Sequence, residues 1–458
     1  MQFRLRTTLA GCVAGMLLTA FNVAEAANWL MLQGTEPPQA APTTKLWGFI
    51  QPQYAETDGT KLTAGTPFGG QDAVFNQITP DLTSNDQFQI ARARIGVRGQ
   101  NFPLNSNINY FMLAEFGNNG ITKPDGGSVK LTDASVTLNY IPGARIRFGQ
   151  FKYPGAEEGL QAIHVFNYVY FTNVTDQLLL ERFFDRDGQP ACTVAGLGTS
   201  STCANAPNGS VGAFRDIGVQ VFDAFRFGDW EHSYAVMIGN GNGIDRGDNN
   251  DDKDTYVYWS SEWIFGGEGV WREGLKLFAW NQDGKRTIVT GGTVTQANGT
   301  TGTFDRKRSG AGVTFRKDRY RAAAEYITAD GMIFDGTDGG ALPGALNNAG
   351  TVYSTFNMAT EDKADGYYVD FGYRVLPDLE LDLRYDTLNR RTDSAPGNER
   401  QFTTTTVGMQ YFFDKKNRIA VNYEFRDAEA PNLPSSDVAN QVLDSLDDRI
   451  SVQFTAIF

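Results

Sequence analysis

The chain has 458 residues and a formal charge of −13. That balance disfavours a nucleic-acid partner, because clustered Lys and Arg carry the affinity for phosphate backbones. No segment after the N-terminal stretch has about 18 consecutive apolar residues, so no helical membrane anchor is expected.

Residues 1–26 read as a secretory signal. Arg4 and Arg6 form its basic start, Leu9 to Phe21 are mostly apolar, and Ala24-Glu25-Ala26 fits a small-x-small cleavage site. Leu9-Ala10-Gly11-Cys12 mimics a lipoprotein cleavage box, but almost no apolar core precedes it. Residues 27–44, with Pro37, Pro38 and Pro42, read as a flexible periplasmic lead-in.

From residue 45 onward no linker or composition shift divides the chain. Strands are expected near 45–55, 87–100, 105–117, 130–141, 144–151, 215–224, 230–239, 254–264, 274–282, 307–316, 319–329, 365–375, 379–389, 403–413, 418–427 and 448–458. Most have about the length that crosses a bilayer at a tilt. Several alternate, as side chains on a strand do. Leu379, Leu381, Leu383 and Tyr385 oppose Glu380, Asp382, Arg384 and Asp386. At the end of the chain, Ile450, Val452, Phe454, Ala456 and Phe458 oppose Ser451, Gln453 and Thr455.

Short turns such as Pro142-Gly143 and Leu376-Pro377-Asp378 alternate with long polar stretches, among them 152–214, 283–306 and 330–364. This pattern, with 50 Gly, 18 Tyr and 32 Phe, fits an all-β protein. The expected fold is a transmembrane antiparallel barrel of about sixteen strands with aromatic girdles. Closure would leave no edge in hydrocarbon.

The stretch from Leu131 to Pro154, together with 91–99, 215–220 and Gly239-Asn240-Gly241-Asn242-Gly243, resembles the phosphate-selective porin O/P family. The resemblance implies a sixteen-stranded, usually trimeric outer-membrane channel. It also implies that the third long loop, here 152–214, folds inward and narrows the pore. Phosphate-binding members carry dense basic residues in that loop. This chain offers Lys152, Arg182 and Arg186 among Glu157, Glu158, Asp176, Glu181, Asp185 and Asp187, so phosphate specificity does not carry over with the family.

Arg92, Arg94 and Arg98 share one strand face. That face must be the lumen, because arginine facing lipid at mid-bilayer costs about 2–4 kcal/mol. Arg145 and Arg147 are expected to line the same side. Such a track either draws small anions or braces the wall by pairing with Glu115 and Asp133. Glu325, Glu380, Asp382, Asp386 and Glu424 are expected on the far wall near Arg384, giving a transverse field or mutual ion pairs. Cys192 and Cys203 stand in a Gly/Ser/Thr-rich segment and are expected to form a local disulfide. Trp47, Tyr110, Tyr234, Tyr256 and Tyr326 are read as outward girdle residues, and Phe111, Phe278 and Trp280 are ambiguous.

His164 and His232, the only histidines, meet no nucleophile in sequence, so catalysis has little support. No cofactor is implied. The acidic stretch Asp245 to Asp254 fails the calcium-loop spacing and reads as a solvated loop. The expected function is a passive outer-membrane diffusion channel for small ions or hydrophilic solutes, with anions mildly favoured. Membrane lipid and lipopolysaccharide would surround it, and the family resemblance implies a homotrimer. The alternative is a barrel sheath around a partner such as an electron-carrying cytochrome, which would need a wide lumen without an inward loop.

Overall fold

The computed structural model describes residues 28–32, 43–57, 86–100, 105, 107–119, 129–181, 212–244, 246–267, 271–290, 300–336, 345–346, 353–354, 356–444 and 446–458. The expected signal 1–26, most of the lead-in, Arg182, Arg186, Cys192 and Cys203 lie outside these residues.

In chain order the strands are β1 (Thr43–Thr57), β2 (Asp86–Gln100), β3 (Ile108–Glu115), β4 (Lys130–Leu138), β5 (Arg145–Lys152), β6 (Arg215–Phe227), β7 (Trp230–Gly239), β8 (Asp254–Gly266), β9 (Glu273–Thr290) and β10 (Thr300–Lys317). They continue with β11 (Tyr320–Asp330), β12 (Ile333–Gly336), β13 (Ala345–Leu346), β14 (Tyr353–Ser354), β15 (Phe356–Ala359), β16 (Lys363–Leu376), β17 (Leu379–Arg390), β18 (Arg400–Phe412), β19 (Asn417–Glu429) and β20 (Arg449–Ile457). Among the described residues there are also four short α-helices: α1 (Trp29–Leu32), which precedes β1, and α2 (Glu157–Leu160), α3 (Asn173–Leu178) and α4 (Val438–Leu443) between strands.

Among the described residues, β1 to β11 and β16 to β20 form one closed barrel of sixteen antiparallel strands. The closing strand β20 pairs back on β1, with Gln53 opposite Gln453 and Tyr54 opposite Val452. Every segment expected from alternation overlaps one of these strands, with some ends, such as those of 105–117 and 130–141, lying beyond the strand. Closure satisfies each strand's backbone groups sideways, which is the condition for a sheet to sit in hydrocarbon.

The faces follow the alternation. On β20, Ser451, Gln453 and Thr455 are buried inside while Phe454 is partly exposed outside. On β17, Leu381 and Leu383 face out and Asp382, Arg384 and Asp386 face in. The short turn at Gly143 has φ +77°, a conformation that glycine adopts without cost.

Four expectations change. The stretch 283–306 is mostly strand rather than loop: β9 and β10 run on as a long hairpin, with Thr287 opposite Thr303. Its residues from Asp283 to Thr287 are polar or Gly on both faces, which hid the pairing. Within 330–364, β12 pairs with β15 and β13 with β14 as two small sheets. Trp47 and Tyr256 face the lumen rather than the girdle. Trp47 stacks over inward Phe111 at 5.9 Å and Tyr256 is 1% exposed. Apolar residues occupy both faces of β1 and β8 (Leu46 and Ile50 outward, Phe49 inward), so sequence leaves their phase open. Finally, residues 28–32 of the lead-in form a helical turn packed against the lumen wall.

Candidate functional site

The segment after β5 crosses the lumen. Lys152, the last residue of β5, donates from Nζ to the carbonyls of Gly159 (2.7 Å) and Gln161 (2.8 Å), which turns the chain inward. α2 then meets the wall. Glu157 takes an ion pair from Lys276 of β9 at 2.6 Å, and its backbone N–H donates to Glu325 of β11 at 3.1 Å. Glu158 pairs with Arg384 of β17 at 3.3 Å and accepts from the Thr172 hydroxyl at 2.6 Å. Burial pushes the Glu158 carboxyl above the usual range, against the pull of Arg384.

The middle of the loop reaches β1 and β19. Gln53 donates to the Tyr170 hydroxyl at 2.7 Å, and the Val169 N–H donates to Asn422 at 2.8 Å. The Arg449 guanidinium lies 3.6 Å over the Tyr170 ring, and Arg418 donates to the Phe166 carbonyl. His164 rests against Phe49 at 5.0 Å and Trp47 at 5.7 Å. Burial and the nearby cations Arg418, Arg94, Lys152 and Arg98 push its pKa down to about 3.

The return stretch is α3, capped by Thr172, whose side chain accepts from the Thr175 N–H, with Asp176 in the first turn. Its Val174 and Leu178 are fully buried beside Ala364, Leu388 and Phe402 of the wall. Arg306 and Arg308 both donate to the Leu178 carbonyl, at 3.1 and 3.0 Å. Glu181 pairs with Arg286 and, at 3.2 Å, with Arg306.

The wall charges singled out in the sequence all face inward. Arg94 pairs with Glu115 at 2.7 Å, and Glu115 also accepts the N–H groups of Ala93 and Gly117. Asp133 is held by Arg215 of β6 at 3.0 Å, a partner the sequence reading did not assign. Arg145 pairs with Asp223 at 3.3 Å. Arg147 lies 4.4 Å over the Phe222 ring and donates to Thr137. Arg98 lies 5.9 Å over Trp47. Arg92 donates to Gln51 at 3.2 Å and, among the described residues, pairs with no carboxylate.

The far wall is not uniformly acidic. Arg321 stands between Asp370, Glu380 (3.1 Å) and Asp382 (2.7 Å), and Glu424 sits between Arg449 (2.5 Å) and Arg384 (3.8 Å). Among the described residues Glu325 meets no cation; it accepts from Trp280 Nε1 at 2.7 Å and from the Tyr368 hydroxyl at 3.0 Å. A basic wall facing an acidic one is therefore replaced by interleaved pairs. Phe111, Phe278 and Trp280 all face inward, and a Cβ on Gly310 would lie 2.7 Å from Trp280, which leaves room only for glycine there.

Sequence reasoning missed Arg215, Arg286, Arg308, Arg321 and Arg449. Each occupies an inward strand position, and the spacing Arg306-x-Arg308 repeats the rule that found Arg92 and Arg94. Beneath the loop, at the short-turn end, lies an open recess lined by Glu157, His164, Tyr168, Trp271, Arg316, Arg418 and Trp29 among others.

No protein-family model matches the sequence, and no curated protein does. Solved structures of similar shape include the outer-membrane protein OmpT of Vibrio cholerae in trimer form, with 11% identity, 91% of this chain and 100% of that chain covered, and a TM-score of 0.48. Salmonella typhi OmpF, in complex with daunomycin, has 15% identity, 91% and 98% coverage and a TM-score of 0.49. The anion-selective porin from Comamonas acidovorans has 11% identity, 91% and 100% coverage and a TM-score of 0.48. The fold assignment itself rests on the closed strand order.

Proposed function

We propose that the chain is an outer-membrane porin, a passive channel for small ions or small hydrophilic solutes. The observation that carries this reading is a closed barrel whose lumen is lined by interleaved charges and crossed by its own third long loop. Inward polar positions and an outward apolar band are what a spanning barrel with an aqueous lumen requires. Export through a signal cleaved after Ala26, a surround of membrane lipid and lipopolysaccharide, and a homotrimeric state belong to the same proposal. The O/P subtype rests on the 131–154 motif. The sheath reading loses support, because a loop tied to β1, β9, β11, β17 and β19 leaves no wide bore for a partner protein.

A mild anion preference is part of the reading. Among the described inward residues, Arg92, Arg308, Arg316 and Arg418 meet no carboxylate, while most inward acids face an arginine or lysine. Unpaired fixed charge lining the lumen, rather than net charge, sets selectivity. The test is conductance and reversal potential of the refolded mature protein in a planar bilayer under a KCl gradient. Discrete steps with an anion-side potential, shifted toward zero in Arg92→Gln, are expected. Steps with a cation-side potential remove the anion preference, and a folded barrel without current removes the channel.

A further inference from the structure

We infer that the short-turn mouth of the barrel holds a binding site for the chain's own N-terminal segment, and that residues 28–32 sit in it as a stopper. Asn28 donates from Nδ2 to Glu231 Oε1 at 3.1 Å and to the Ser233 hydroxyl at 2.5 Å. Both acceptors are buried inward residues near the start of β7. Glu231 is fixed in turn by Arg226 at 3.0 Å and Arg272 at 2.9 Å, so the acceptor is in place before the segment arrives.

The next two residues are apolar and enter the barrel. Trp29 and Leu30 are 9% and 2% exposed and join the cluster that contains Leu160 of the inward loop, Ala235 of β7 and Phe278 of β9. Trp29 forms one side of the open recess, across from Glu157, Gln161 and Trp271. The segment thus touches both the wall and the loop that narrows the lumen.

α1 has four residues, far below the length at which a helix holds itself together in water. Its order therefore comes from the site: one side-chain amide on a prepared acceptor pair and two apolar side chains in a lumen cluster. The segment joins β1 through ten residues that include Pro37 and Pro38. A peptide held only by such contacts can leave and return, and its departure would widen the short-turn mouth without moving a strand.

This inference rests on the channel reading for its consequence, but its geometry can be tested apart from current. The first experiment places Cys at Asn28 and Ser233 in refolded mature protein whose Cys192 and Cys203 are Ser. Oxidation should link the pair in nearly every folded barrel. A folded barrel that does not crosslink overturns the binding site. The second records single channels of the Trp29→Ser, Leu30→Ser double variant. Its conductance should rise by about twofold over the native chain, because resistance falls as the open cross-section at the narrow part of a pore grows. In the crosslinked protein the smaller level should persist without excursions, and reduction should restore them. Native conductance in the double variant overturns the stopper role. Absence of current in every variant is a failure of the channel reading, and the crosslink yield still decides the site.

Discussion

α3 and the stretch from Ile163 to Tyr170 belong to one inward loop but hold the wall by different means. α3 turns Val174 and Leu178 onto Ala364, Leu388 and Phe402, and adds polar ties: Arg306 and Arg308 to the Leu178 carbonyl, Arg390 to Gln177 (2.9 Å) and Asn173 to Asp386 (2.8 Å). The 163–170 stretch has its hydrogen bonds in the lumen: Gln51 donates to the Ile163 carbonyl (3.5 Å), the Val169 N–H donates to Asn422 and Gln53 donates to the Tyr170 hydroxyl. The first attachment gains from removing apolar surface from water, a term proportional to area. The second exchanges bonds to water for bonds to protein and gains little net free energy per bond. The loop is therefore anchored at α3, where its largest apolar burial lies, and positioned at 163–170.

Three changes would break or sharpen that contrast. Leu178→Ala empties a fully buried site and should cost about 3 kcal/mol, as large-to-small core changes do. Denaturant unfolding of the refolded barrel in detergent reads it, and a cost under about 1 kcal/mol would mean that α3 is not the anchor. Tyr170→Phe removes one hydrogen bond with Gln53 and keeps the ring under Arg449. It should cost about 1 kcal/mol by the same assay and change the single-channel noise more than the stability.

The smallest effect is a pH dependence centred on His164. Its pKa falls from 6.5 to about 3 in the docked loop, where it faces Arg94 and Arg98 of β2, Lys152 of β5 and Arg418 of β19. Between those values the docked state binds fewer protons than the undocked one, so docking strengthens as pH rises and weakens as pH falls from 6.5 toward 3. Acidification from neutral pH to pH 4 should increase open-level fluctuations. His164→Phe, which keeps the ring contacts with Phe49 and Trp47, should abolish that increase. Equal pH dependence in both proteins would assign it elsewhere.

Strand identity was legible because its cause is local. A strand with lipid on one side and polar lumen on the other alternates residue by residue, and Leu379 to Asp386 or Ile450 to Phe458 can form only such a strand. Where both faces are apolar, as at Leu46 to Ile50, or both polar, as at Asp283 to Thr287, the pattern loses its phase, and Trp47 and the β9–β10 extension were misread for that reason. The inward side of Arg92, Arg94, Asp382 and Arg384 was legible as well, since lipid tolerates none of them.

By itself, then, the sequence determined a closed antiparallel barrel and the lumen side of the charged residues it singled out, because hydrocarbon rejects each charge separately. Only the tertiary structure decided the partners. Asp133 lies opposite its own strand neighbours in sequence yet is claimed by Arg215, 82 positions away, and Glu158 finds Arg384 across 226. Such pairs depend on strand register, barrel closure and the path of one loop through the lumen. The same is true of Trp29 and Leu30, whose apolar character is plain in the chain but whose site is assembled from β7, β9 and the inward loop together.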